Sequence, residues 1–167
     1  DLPQFLNGVS LMRDPDLDLK NETYMIIREG MSTKVKFAFA DPEVIIAPPE
    51  KPITLPSSDV SFQIDSDQLS KLIKASAVYQ LPDLSVIGDG TTCTILVSDR
   101  KNDNSNEYSL TVGETDKSFE FNFKIENIKL IPGSYNVEIS RQLLAKFTNS
   151  NYNLDYYIAL EPDSQYE

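Results

Sequence analysis

The sequence predicts an α+β chain in which short antiparallel strands outnumber helices. Three observations carry that expectation. Apolar residues alternate with period two in short runs bounded by Gly, Asn and Asp; two segments show helical spacing instead; and a proline-rich stretch separates a short first part from a longer second one. With 167 residues, 40% of them apolar, the chain has material for a core.

In chain order, Phe5, Leu6, Val9 and Met12 fall on one helical face, with Pro3 where a first turn tolerates it. Runs at 17–20, 23–29 and 33–40 read as strands. The last alternates Val35, Phe37 and Phe39 against Lys34, Lys36 and Ala38, and Gly30 marks the turn before it. Residues 41–58 hold five of the ten prolines and form an extended connector, in which only Val44-Ile45-Ile46 is allowed as a short edge strand. Residues 60–64 resume as a strand. Asp65 then offers an N-cap with Gln68 three residues on, opening a helix over 66–78. Strands follow at 84–87, 92–98, 107–112 and 118–125, divided by Gly88-Asp89-Gly90, by the polar stretch 100–106 and by 113–117. The apolar segment 128–131 is expected to be a short helix ended by Pro132-Gly133. Strands at 134–140, 143–149 and 154–161 precede an acidic, polar tail.

The domain boundaries expected from this order are 1–41, a connector at 42–58, and 59–167. The second part ends as the first does, with a helix and three strands. That suggests two copies of one unit, the first lacking its leading strand, helix and four strands.

Composition excludes much chemistry. With no histidine, the chain lacks the commonest general base and transition-metal ligand, so triad hydrolysis and structural zinc are disfavoured. No phosphate-cradling glycine loop is present. Asp14, Asp16 and Asp18, like Asp99 and Asp103, lie in polar segments without the Gly and closing Glu of a calcium loop and read as solvated turns. The single Cys93, inside an alternating apolar run, reads as a buried structural thiol. No stretch approaches the roughly 20 apolar residues of a membrane span, and no positive leader opens the chain, so the expectation is a soluble protein inside a cell. The net charge of −11 repels a polyanion at long range, so any nucleic-acid contact requires a local basic surface. The 66–78 helix offers one. Leu69, Leu72, Ile73 and Ser76 share a face, and Lys71 and Lys74 point from the opposite one; the residues alone favour an ordinary solvated face over a binding one.

Six collinear segments carry a family resemblance. They are Asp1-Leu2-Pro3-Gln4-Phe5-Leu6; Ala40-Asp41-Pro42 with Ala47-Pro48 and Lys51-Pro52-Ile53; Asp67 to Lys74; Tyr108-Ser109-Leu110-Thr111-Val112-Gly113; Pro132-Gly133-Ser134-Tyr135; and Tyr157-Ile158-Ala159-Leu160-Glu161. With the element order, they resemble the DNA sliding clamps of T-even-type bacteriophages, the first domain lacking its N-terminal half. The resemblance implies a non-enzymatic processivity factor of the sliding-clamp fold, with antiparallel sheets outside and helices on the inner face. It implies no cofactor and no metal. A family trimer would encircle double-stranded DNA without reading sequence and serve a phage DNA polymerase and clamp loader in the cytoplasm of the infected host.

By that resemblance, Lys71 and Lys74, with Arg13 and Lys129 near the ends of the other helices, face DNA in the pore. Ile53, Leu55, Ala159, Leu160 and Pro162 form a pocket for partner peptides, although the same residues equally suit a seal between connector and second domain. Val35, Phe37 and Phe39 on one strand, and Tyr108, Leu110 and Val112 on another, mark the subunit interface. The apolar faces of 23–29 and 33–40, including Met25 and Ile27, are expected to be bare, with nothing earlier in the sequence to pack on them. The rival from another class is a β-rich phage structural or adhesion module, which needs no inward lysines and is expected as a helix-free sandwich.

Overall fold

A computed structural model describes residues 2–46 and 50–167. The motif residues Asp1, Ala47 and Pro48, and Pro49 of the connector, lie outside the described residues. The chain divides into two compact units, Asp1–Lys51 and Pro52–Glu167, and the division falls inside the expected connector.

In the first unit, helix α1 (Leu2–Ser10) is followed by β1 (Asp16–Asp18), β2 (Tyr24–Glu29) and β3 (Thr33–Ala38), which form an antiparallel sheet in the order β1-β2-β3. The β2–β3 hairpin pairs Glu29 with Thr33 across a three-residue loop that opens with Gly30 at φ 58°, left-handed backbone that glycine adopts without strain. Met25, Ile27, Val35 and Phe37 share one face, as the Met25↔Phe37 and Ile27↔Val35 pairs require. That face is not bare. Phe5 of α1 meets Phe37 edge-on at 5.6 Å between ring centroids, and Ile27 is fully buried. The short helix α1, nine residues long, covers the face that was expected to be bare.

After β3 the chain bends away. Val44-Ile45-Ile46 does not form an edge strand; Pro42–Val44 is a single 3-10 turn instead. Proline pre-sets φ at its start, the Asp41 carboxylate accepts from Glu43 N at 3.0 Å, and Ile45 N donates to Pro42 O at 3.3 Å, which satisfies locally the groups a strand would have spent on a neighbour.

The second unit runs β4 (Val60–Ile64), α2 (Ser66–Tyr79), β5 (Asp83–Asp89), β6 (Thr92–Ser98), β7 (Tyr108–Glu114), β8 (Ser118–Lys124), a 3-10 turn (Ile125–Asn127), β9 (Tyr135–Ser140), β10 (Leu144–Asn149), β11 (Asp155–Ala159) and β12 (Gln165–Tyr166). The strands make two antiparallel sheets, β11-β10-β9-β4 and β12-β8-β5-β6-β7. One core joins them, built on Leu72, Val97, Phe121, Phe123, Tyr135, Val137 and Ile139, each at most 1% exposed. Helix α2 begins where its capping box predicts: Asp65 Oδ1 accepts from Gln68 N at 2.8 Å and Gln68 Oε1 accepts from Asp65 N at 3.0 Å. It ends at Gln80, whose φ of 55° puts it in the left-handed C-cap conformation.

The short helix expected at 128–131 is absent. The 3-10 turn lies just before it, and Pro132 disfavours helical backbone at Ile131. Ile131 N donates instead to Tyr156 Oη at 3.3 Å, and Tyr135 Oη donates to Ile131 O at 2.7 Å. The acidic, polar tail, for which no element was expected, returns as β12 against β8.

Candidate functional site

Helix α2 is amphipathic because Leu69, Leu72, Ala75 and Ser76 bury against the sheets. Ile73, expected on that face, is 37% exposed, and Ala75 takes its place. The buried stripe is therefore rotated by part of a turn from the one the larger side chains suggested. Lys71 and Lys74 project from the exposed side as expected, but they are not equivalent. Lys71 Nζ lies 2.6 Å from Asp67 Oδ2, one turn back, and that hydrogen bond raises the lysine's pKa above its ordinary value. Lys74 has no such ion pair among the described residues. It lines a mostly apolar groove of about 400 Å³, with Ile73 and Ala77 on one side and Ile128, Leu130 and Pro132 on the other.

Lys129 is exposed on the irregular segment after the 3-10 turn, not near a helix end. That follows from the missing helix. Arg13 is exposed in the bend between α1 and β1, where its backbone N–H donates to Glu29 Oε1 at 3.0 Å.

The residues expected to form a peptide pocket divide by exposure. Ile53 is 48% exposed, and Ala159 and Pro162 are also exposed, whereas Leu55 is half-buried and Leu160 packs into the core at 6%. Leu160 is thus a core residue rather than a surface one, and its backbone N–H donates to Leu143 O at 3.0 Å.

The residues expected at subunit contacts lie on two outermost strands, β3 and β7. Val35 and Phe37 turn toward α1, and Phe39, just beyond β3, is 37% exposed. Tyr108, Leu110 and Val112 are half-buried against the core. What these strands leave open is backbone edge more than apolar side chain.

Elsewhere the polar groups are structural. Cys93 is 4% exposed, and burial pushes its thiol pKa up to about 11. Asp83, at 2% exposure, accepts from Lys124 Nζ at 2.5 Å and from Arg100 N at 3.1 Å. No group of residues able to hold a metal ion occurs among the described residues. Sequence reading missed Arg100, Asp163, Ser164 and Tyr166, which together fasten the tail. The single aromatic residue in an otherwise polar tail was the signal that pointed to it.

The family model described as gp45 sliding clamp, C terminal, matches residues 61–162, which include α2 and every strand of the second unit from β5 to β11. This chain belongs to the sliding-clamp family. It is 30% identical to the sliding clamp of Enterobacteria phage T4 over all of its own length and 75% of that protein's. It is 28% identical to the sliding clamp of Vibrio phage KVP40, over 96% of this chain and 74% of that one. Among solved structures, the clamp resembles A. fulgidus PCNA, solved with the C-terminal region of FEN-1 bound, with a TM-score of 0.55 at 14% identity over 90% of this chain and 65% of that one. It also resembles Proliferating Cellular Nuclear Antigen from Entamoeba histolytica, at 0.55 and 16% identity over 96% and 69%. The fold is therefore the α+β fold of sliding clamps. The clamp is a non-enzymatic replication factor of phage type, and the rival adhesion module is not favoured.

Proposed function

We propose that this clamp encircles double-stranded DNA without reading its sequence and tethers the phage DNA polymerase, after placement by a clamp loader, in the cytoplasm of the infected bacterium. The observation that carries this reading is the pair Lys71 and Lys74 on the exposed side of α2 in a chain of net charge −11. Point charges on a helix bind phosphates without base readout, so the contact is salt-sensitive and permits sliding, while an acidic exterior keeps DNA from adhering elsewhere. Lys129 and Arg13 are secondary contributors.

The proposed boundaries are a first clamp domain to residue 41, a connector at 42–58 and a second domain from 59. Assembly is proposed as a ring, a trimer as in the family. The exposed edge of β3, with Val35, Phe37 and Phe39 behind it, pairs with the β7 edge of the next subunit, backed by Tyr108, Leu110 and Val112. Partner tails dock on Ile53, Leu55, Ala159 and Pro162, with Leu160 beneath.

The decisive experiment is the double variant Lys71→Glu, Lys74→Glu. Surface charge changes of this kind leave stability nearly unchanged. Circular dichroism and the melting temperature stay at parental values, while stimulation of the cognate polymerase on primed DNA is lost. Parental stimulation at moderate salt removes these lysines from the pore.

A further inference from the structure

Strand β8 is laddered on one side along its whole length, from Asp83↔Lys124 to Asp89↔Ser118 on β5. Its other side is paired only by the two residues of β12, at Gln165↔Glu120 and Tyr166↔Phe119. Around that short ladder, residues 161–167 are held by an irregular set of bonds. Glu161 N donates to Asn122 O at 2.7 Å, and Glu167 N donates to Ser118 O at 2.9 Å. Asn122 N finds a side chain, Ser164 Oγ at 2.9 Å, where a regular strand would offer a carbonyl.

Two side chains anchor this strap. Arg100 forks onto Asp163, Nη1 to Oδ1 at 3.3 Å and Nη2 to Oδ2 at 2.8 Å, the bidentate geometry that guanidinium and carboxylate favour. The Tyr166 ring stacks near Phe119 and Phe121, at 6.4 and 6.0 Å between centroids, with Lys117 Nζ 5.7 Å from its centre. Gly88 makes room for the platform, since a Cβ there would lie 2.4 Å from Phe119 Cε1.

The fit is incomplete. Asn122 is fully buried, its Oδ1 accepts from Ser85 Oγ at 2.6 Å, and its Nδ2 has no hydrogen-bond partner. That amide lies close enough to Asp163 to help Arg100, the main cause, hold the carboxyl below its ordinary pKa, yet it forms no hydrogen bond with it. A buried donor without a partner is unfavourable, and an occupant with an acceptor placed slightly deeper would satisfy it. Beside the strap, Ile87, Gly88, Glu120 and Tyr166 border a cleft of about 210 Å³.

We propose that the outer edge of β8 is a strand-accepting docking site, occupied in cis by residues 161–167, for an extended peptide of a partner protein that carries a carboxylate three residues before an aromatic side chain. The strap defines this chemistry by using it: Asp163 and Tyr166 stand three apart, on Arg100 and on the Phe119–Phe121 platform. Addition of a strand to an open edge draws affinity from main-chain bonds and specificity from such side-chain anchors. Because the strap is tethered, it competes at an effective concentration on the order of millimolar, so the partner displaces it only when better fitted or itself tethered. This site adjoins the peptide surface proposed above, with which it shares Pro162 at the start of the strap, and it does not depend on the DNA-binding reading.

The probe is a labelled peptide with the sequence of residues 161–167, titrated into the whole chain and into its Asp163→Ala, Tyr166→Ala variant, with fluorescence anisotropy as the readout. The variant is expected to bind the peptide about tenfold or more tightly than the parent. Adding Arg100→Ala to the variant, or alanine at either anchor of the peptide, reverses the gain. Equal binding to parent and variant overturns the proposal, as do amide shifts that fall outside 118–122. In the unaltered chain, excess peptide is expected to speed hydrogen exchange at Gln165 and Tyr166, and unchanged exchange overturns the proposal even if the variant folds poorly. Dimers of the parent chain that vanish when the strap is altered would assign the edge to a second copy, and also overturn it.

Discussion

The two units solve the same problem with unequal means. Among the described residues, the first buries only Met12 and Ile27 fully as apolar side chains, under a nine-residue helix. The second closes two sheets and a fourteen-residue helix on a core of 22 buried apolar residues. Burial grows faster than surface as a unit enlarges, so a unit of about fifty residues is marginal where one of about a hundred holds itself together. The second unit's order is therefore intrinsic, and the first unit's depends on a few contacts.

The strongest way to break this comparison is Phe123→Ala. Phe123 is 1% exposed and meets Phe147 edge-on at 6.4 Å between centroids, so truncation is expected to cost about 3–5 kcal/mol in urea unfolding. A cost below about 1 kcal/mol would mean the larger core is not cooperative. Ile27→Ala tests the other side. It is expected to cost about 2–3 kcal/mol, nearer the lower end because a short helix can settle into the gap, and to speed amide exchange in β2 and β3 first. Exchange that quickens equally in β9 and β10 would show that the units do not differ in this way.

A smaller effect is expected at the α2 cap. Asp65→Ala removes the acceptor for Gln68 N and is expected to cost about 1 kcal/mol, read as a lower melting temperature with the helix retained.

The smallest effect concerns the entry to the second unit, where Asp59 accepts from Ser57 Oγ at 2.5 Å and from Arg141 N at 3.0 Å. The Ser57 hydroxyl first, then the Arg141 N–H, lower its carboxyl pKa below the usual range. A depressed folded pKa means stability that is present above the unfolded value and lost as pH falls through the folded one. Loosening at 57–59 is thus expected only below about pH 4, seen as faster amide exchange at Asp59 and Arg141. The same loosening near pH 6 would contradict the assignment.

How much of this was legible depended on how local each determinant is. The α2 cap was readable because Asp65 and Gln68 are three residues apart, and β4, β6 and β8 because their alternation is written in their own residues. The segment 128–131 was misread because its backbone is satisfied by Tyr135 and by Tyr156, which is 25 residues from Ile131. β12 was invisible because two residues carry no period, and its conformation is imposed by β8. At the candidate site, side-chain spacing placed both lysines on the exposed side of α2. It did not distinguish the one tied to Asp67 from the one bordering the groove, because that difference lies in rotamers and in a neighbouring segment.

The two open edges proposed for assembly, β3 and β7, are different strands in different sheets. Were they alike, two copies joined about a twofold axis would use up both at once. Unlike edges behave as a plug and a socket: each copy that joins consumes one of each and supplies one of each, so an open chain of any length always ends in an unsatisfied β3 and an unsatisfied β7. Only a closed circle leaves none. With the proposed pairing, a closed ring is the one assembly of identical subunits that leaves neither β3 nor β7 unpaired.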